Sequence, residues 1–185
     1  MTLLLSALGL HKSYVAGLGR CWARVTVLSS LSLSLAEGER VLIRGAAASG
    51  KTTLLQCLLG LRRVDAGSVR WNAGRGAPYR VCLEPGDVAA ATATRAALVE
   101  LSSEDERFAD WQHALRSCRR RGAGWLVLAT EPGALAAVAH RTLELRGGSL
   151  RALTGQVPPL RVAEPTRDAQ PWRGGALRPV PTIRD

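Results

Sequence analysis

Gly45-Ala46-Ala47-Ala48-Ser49-Gly50-Lys51-Thr52 matches the pattern G-x-x-x-x-G-K-[ST] at every fixed position. Each fixed residue has a physical task. Gly45 and Gly50 permit a backbone that turns successive N–H groups toward an anion. Lys51 carries an ammonium to the β- and γ-oxygens of a polyphosphate, and Thr52 offers a hydroxyl to Mg²⁺. Just upstream, Arg40-Val41-Leu42-Ile43-Arg44 reads as a short apolar strand. Downstream, Leu54, Leu55, Leu58, Leu59 and Leu61 fall at helical spacing, which predicts a helix over 52–61 closed by Gly60, Arg62 and Arg63. Strand, glycine loop and helix in that order predict an α/β nucleotide-binding fold, with the positive end of the helix dipole adding to the pull on phosphate. ATP with Mg²⁺ is the expected ligand of residues 45–52, with Thr53 beside them.

Composition bounds what surrounds this loop. A chain of 185 residues is long enough to bury one ordinary core. No apolar run approaches the roughly 18 residues a membrane span needs, and the Leu3-Leu4-Leu5 stretch lacks a basic leader and is broken by Ser6 and Gly9. A cytoplasmic chain is expected. Cys21, Cys57, Cys82 and Cys118 have no C-x-x-C spacing, which points to reduced thiols rather than disulfides or zinc. The net charge of +10 raises the question of nucleic acid, yet the cations are scattered arginines with two lysines, Lys12 and Lys51. The one dense run, Arg119-Arg120-Arg121, falls at a predicted helix end, where it complements the dipole. No nucleic-acid partner is expected.

Farther from the loop, Leu3–Leu10 reads as a strand ahead of a glycine-containing loop. A second extended run begins at Val25, where Leu31, Leu33 and Leu35 alternate with Ser32 and Ser34 before the turn Glu37-Gly38-Glu39. Ser68–Trp71, Tyr79–Leu83 and Trp125–Ala129 read as strands, and Ala96–Leu101 fits strand or helix equally. Asp105–Arg121 and Ala134–His140 read as helices, and Thr142–Leu145 pairs with Ser149–Leu153 across Gly147-Gly148. After Gly155 come six of the nine prolines and no periodicity. The expected division is a nucleotide-binding domain over 1–154 and a Pro/Arg-rich disordered tail over 155–185.

Beyond the loop, several segments resemble the nucleotide-binding domain of ATP-binding-cassette transporters, especially the lipoprotein- and macrolide-export type. These are Leu8-Gly9-Leu10-His11-Lys12-Ser13-Tyr14, the run Val27–Leu33 with Ala36-Glu37-Gly38-Glu39, Leu59-Gly60-Leu61, Asp65-Ala66-Gly67-Ser68-Val69, Leu126–Thr130 and Leu143–Gly148. The likeness covers roughly residues 3–153 and implies a P-loop core with a mixed or parallel sheet. It further implies that Tyr14 stacks on adenine, with Trp22 as the alternative. As partner it implies a second cassette subunit, identical or different, and through it a membrane permease that would hold the chain at the inner membrane. The chain departs from that family in one region. The helical subdomain and its L-S-G-G-Q signature should follow the strand ending near Leu83, but only about a dozen residues stand there and no such signature occurs in the sequence.

Two alignments of the acidic residues stay open. In the first, Glu84 stands where the family has the glutamine that ligates Mg²⁺ and positions the attacking water. Ala96–Leu101 is then the acidic strand, its acidic pair reduced to Glu100. In the second, Val81–Pro85 is the acidic strand and Glu84 the catalytic base; the spacing to Thr130 favours the first. After Thr130 the family places a histidine at the γ-phosphate, whereas this chain has Glu131, whose carboxylate would repel it. His11, His113 and His140 form no triad or ligand pattern with Ser or Cys, and Trp111 and Trp125 lie on apolar faces expected in the core, while Trp71 and Trp172 are left unassigned. Three classes result: an ATPase subunit with weak or partner-dependent hydrolysis, a nucleotide-binding module without turnover, and a small P-loop kinase. The kinase is disfavoured because no acceptor site or arginine lid is recognisable.

Overall fold

A computed structural model describes residues 2–18, 21–72, 80–83, 96–101, 123–131 and 133–154. These residues form nine strands and one α-helix: β1 Leu3–Leu18, β2 Cys21–Ala36, β3 Arg40–Arg44, α1 Lys51–Leu58, β4 Ala66–Trp71, β5 Arg80–Leu83, β6 Ala96–Leu101, β7 Gly124–Ala129, β8 Arg141–Arg146 and β9 Ser149–Thr154. They make two sheets. A six-stranded sheet runs β5-β6-β7-β3-β8-β9, parallel except for β9, and a three-stranded antiparallel sheet runs β2-β1-β4. None of the helices among the described residues is long and apolar enough to cross a membrane.

The period of two along the central strands sorts their side chains into two layers. Val41 and Ile43 of β3, Leu98 of β6 and Leu126 and Leu128 of β7 join one core with Leu54, Leu55 and Leu58 of α1 and the alternating leucines of β2. Leu42, Ala97, Val99, Leu101, Trp125 and Val127 point the other way, into a second core with Leu135. The large sheet is thus covered by α1 and the small sheet on one face. At the sheet end away from the glycine loop, a buried ion pair ties β8 to β2 and to the turn before β3. Arg141 lies 3.1 Å from Glu39 and donates to the carbonyl of Ser34, and Glu39 accepts from the backbone N–H of Ala36. Both charges are out of water, so each depends on the other.

Several boundaries differ from the sequence reading. The first strand does not stop at Leu10. It continues to Leu18 because Gly9, at φ 58, absorbs an irregularity in the pairing, and Gly9's N–H donates to Ser32 Oγ instead of the ladder. The helix ends at Leu58, three residues short, where the chain turns through Gly60 at φ 72, and this leaves Leu61 exposed instead of in the core. Ala96–Leu101 is a strand, buried on both faces. The segment read as a helix over 134–140 is a 3-10 turn over Gly133–Ala137. The helix expected over Asp105–Arg121 and the tail from 155 lie outside the described residues.

Candidate nucleotide site

The glycine loop leaves the C-terminal end of β3, where the N–H of Gly45 still bonds the carbonyl of Ala129, and closes into α1 at Lys51. Gly50 sits at the helix N-cap with φ 100, and a Cβ there would lie 2.8 Å from Val27 Cγ1, so both backbone and packing require glycine. No side chain caps the helix. Its first N–H groups are therefore left for an anion. Lys51 is only 6% exposed and folds back on its own loop, donating to the carbonyls of Gly45 at 2.8 Å and Ala46 at 2.9 Å. An ammonium has three donors, so one remains. Ser49 Oγ is buried in the loop with no hydrogen-bond partner, and Ala48 holds φ 59, a conformation that a side chain disfavours.

On the side toward β6, Thr52 Oγ1 donates to Glu100 Oε1 at 2.8 Å. The period of two explains the meeting. Glu100 lies two residues beyond Leu98, on the face that α1 covers, while Leu101 points into the opposite core and is 1% exposed. Among the described residues no group of three His, Cys, Asp or Glu could cage a metal. A hydroxyl and a carboxylate oxygen side by side nonetheless suit Mg²⁺, which takes one or two carboxylates and fills its other positions with water and substrate phosphates. Glu84, the other acidic candidate, lies outside the described residues. Glu131 is exposed beyond the end of β7.

On the side toward β1, the Tyr14 hydroxyl reaches Thr53 Oγ1 at 3.4 Å, so the small sheet places an aromatic ring at the first turn of α1. The guanidinium of Arg62 stands 5.3 Å from the ring centroid and the Lys12 ammonium 5.6 Å. Lys12 is held by Asp65 at 2.7 Å, and Asp65 also accepts from the N–H of Ser13 at 2.7 Å. The Lys12 hydrogen bond, then that of Ser13, lower the Asp65 carboxyl below its ordinary value. The sequence reading missed Lys12, Arg62 and Asp65. Their signal was faint, because Lys12 and Asp65 stand 53 positions apart and Asp65 read as no more than a turn residue.

The alternative aromatic, Trp22, pairs with Gly17 near the far end of the β1–β2 hairpin and is 71% exposed. Trp71 donates its Nε1 hydrogen to the carbonyl of Leu58 and Trp125 is fully buried; Trp111, Trp172 and His113 lie outside the described residues. His11 shares a 3.2 Å hydrogen bond between its Nε2 and Ser13 Oγ. That pair belongs to the tie between Asp65 and β1. Cys57 is a buried free thiol, and burial raises its pKa.

Known proteins resemble parts of this chain. A nickel import ATP-binding protein of Rhodospirillum rubrum is 45% identical over 80 residues, which is 42% of this chain and 27% of the relative. A lipoprotein-releasing system ATP-binding protein of Chromohalobacter salexigens is 56% identical over 46 residues, 25% of this chain and 19% of the relative. The matched segments thus span about a quarter or less of these relatives' own length. The dimeric post-hydrolysis structure of the ATP-binding cassette MJ0796, bound to ADP and Pi, superposes with a TM-score of 0.59 at 15% identity, covering 83% of this chain and all of that one, which establishes a shared fold. The family model described as ABC transporter matches residues 28–131, more than half of the sequence and the whole of the glycine loop, α1 and Glu100, so the chain belongs to the ABC transporter family.

Proposed function

We propose that the chain is an ATP-binding subunit of an ABC-type assembly that holds Mg²⁺–ATP in its glycine loop and turns it over weakly, or only with a partner. The observation that carries this reading is the meeting of Thr52 with Glu100 at 2.8 Å beside an uncapped helix N-terminus. In this reading the N–H groups of residues 46–52 cradle the phosphates. Lys51 exchanges its loop carbonyls for phosphate oxygens, a stronger charge-assisted contact. Tyr14 supports the adenine. Thr52 and Glu100 hold the Mg²⁺, which when bound neutralises charge on the phosphate oxygens. Glu84, in the position of the family's glutamine, is the remaining acid for ordering water. Residues 1–154 form the nucleotide unit and 155–185 a tail.

Slow turnover follows from what borders the phosphates. Leu101, not a second acid, follows Glu100 and faces the opposite core, and Glu131 stands in the sequence position where the family has its γ-phosphate histidine. Without a general base for water, hydrolysis loses roughly two to four orders of magnitude. The dimeric cassette that superposes on this chain motivates a paired subunit, and membership of the ABC transporter family motivates a membrane permease for that pair at the cytoplasmic face. The inward-turned Leu101 equally favours a second reading, a nucleotide-binding module that never turns over. Calorimetric titration with ATP, with and without Mg²⁺, tests the common core of both. Lys51→Ala is expected to weaken binding by about 1.5–3 kcal/mol, roughly ten- to hundredfold. Equal affinity in the two proteins overturns the site.

A further inference from the structure

We propose that Arg62 is a positioning residue for the nucleobase: it holds the ring of Tyr14 from the turn after α1, so that affinity for the base depends on it while affinity for the phosphates does not. The inference deepens the proposed nucleotide site and rests on that reading. It starts from the Tyr14 ring, which is half-buried beside the first turn of α1, with its hydroxyl 3.4 Å from Thr53 Oγ1. Two cations restrain it. Arg62 is over the ring at 5.3 Å and Lys12 at 5.6 Å, both inside the range where the electron-rich face of an aromatic attracts a cation.

Neither cation is itself free to wander. The Nε of Arg62 donates to Gln56 Oε1 at 2.8 Å, which anchors the guanidinium to α1, and its backbone N–H bonds the Gln56 carbonyl. Lys12 is pinned by Asp65, three residues after Arg62, and Asp65 also takes the Ser13 N–H and donates its own N–H to the carbonyl of His11. The turn 62–65 therefore grips β1 at three successive residues immediately before Tyr14. Helix α1 joins the two parts of the site: its first residue, Lys51, belongs to the phosphate loop, and the turn that follows it carries the group that orients the base platform. The side chain of Arg62 bonds Gln56 and lies over Tyr14, so its effect is expected on the base and not on the phosphates.

Titrations of the full chain with Mg²⁺–ATP and with inorganic triphosphate separate the two contributions. Arg62→Ala is expected to weaken ATP about two- to fivefold, the loss of one exposed cation–π contact, and to leave inorganic triphosphate unchanged. Arg62→Lys keeps a cation on the same turn and is expected to retain most of the ATP affinity. Three results overturn the inference: no change for ATP in Arg62→Ala, an equal loss for both ligands, or tighter ATP binding, which would mean that Arg62 occupies the place of the base. Failure of the underlying site looks different. There Lys51→Ala leaves triphosphate binding intact, or Tyr14→Ala leaves ATP affinity intact.

Discussion

The two walls of the nucleotide site are built to different standards. On the helix wall every fixed position of the phosphate motif is filled, Gly50 has the positive φ and close packing that only glycine tolerates, and Lys51 is buried with two of its three N–H donors bonded to the loop. On the strand wall a single acid among the described residues, Glu100, reaches the site, and the next residue turns away into the second core. Binding needs the first wall. Rapid hydrolysis needs both, because a bound triphosphate is attacked only when something orients and deprotonates water. In the proposed reading, the groups that would hold nucleotide follow β3 and the acid that would serve its cleavage lies on β6, with β7 between the two strands.

The largest effect that bears on this contrast is turnover itself. The isolated chain is expected to release phosphate from ATP at least a hundredfold more slowly than the roughly 10 s⁻¹ of a typical enzyme. A steady rate near 1 s⁻¹ in a phosphate-release assay would erase the distinction between the walls. Next is Leu101→Glu, which places an acid in the sequence position after Glu100. Because Leu101 faces the second core, the new carboxylate lands in a dry interior rather than at the phosphates. The expected result is a loss of about 3–5 kcal/mol of stability, as for an uncompensated buried charge, with no gain in hydrolysis. Urea melts and the same phosphate assay read both quantities, and a gain in rate would show that the strand end can turn. Smaller again is Glu100→Gln. It keeps a hydrogen-bond acceptor for Thr52 but removes the charge, so ATP affinity in EDTA is expected to hold while the gain from added Mg²⁺ falls by about 1–2 kcal/mol. Titrations with and without metal measure that difference.

The helix wall was legible in the sequence because its signals are local. A run of apolar strand residues, glycines at fixed spacing and a 3.6-residue leucine period lie within about twenty positions. The strand wall was half legible. Glu100 was named, but four consecutive buried residues, Ala96 to Val99, read the same in a helix or a strand, so periodicity could not say which way Glu100 points. Only the pairing of β6 with β7 fixes the face. The base platform was legible in one residue, Tyr14. Its supports Lys12 and Arg62 come from different elements, and a contact between positions 12 and 65 has no sequence period. The end of β1 misled for a related reason: the strand was read as stopping at Leu10, yet it runs to Leu18 past a positive-φ kink at Gly9 and pairs on both sides of it.

The smallest expected effect tests whether the helix wall is as well built as it looks. Ala48 occupies φ 59 in the middle of the phosphate loop, and a Cβ in that region costs roughly 1–2 kcal/mol. Replacing it with glycine removes the strain but adds freedom to the unfolded chain, which costs about 0.4–1 kcal/mol. The first quantity exceeds the second, so Ala48→Gly is expected to stabilise the protein by about 0.5–1 kcal/mol. Gly50→Ala provides the opposite case in the same loop. It adds strain at φ 100 and brings a methyl group to 2.8 Å from Val27, so it is expected to destabilise. Thermal melts of the two variants give the comparison. If Ala48→Gly lowers the melting temperature, the loop gains more from alanine's stiffness than it loses to strain, and the helix wall is then a pre-set cradle rather than a strained one.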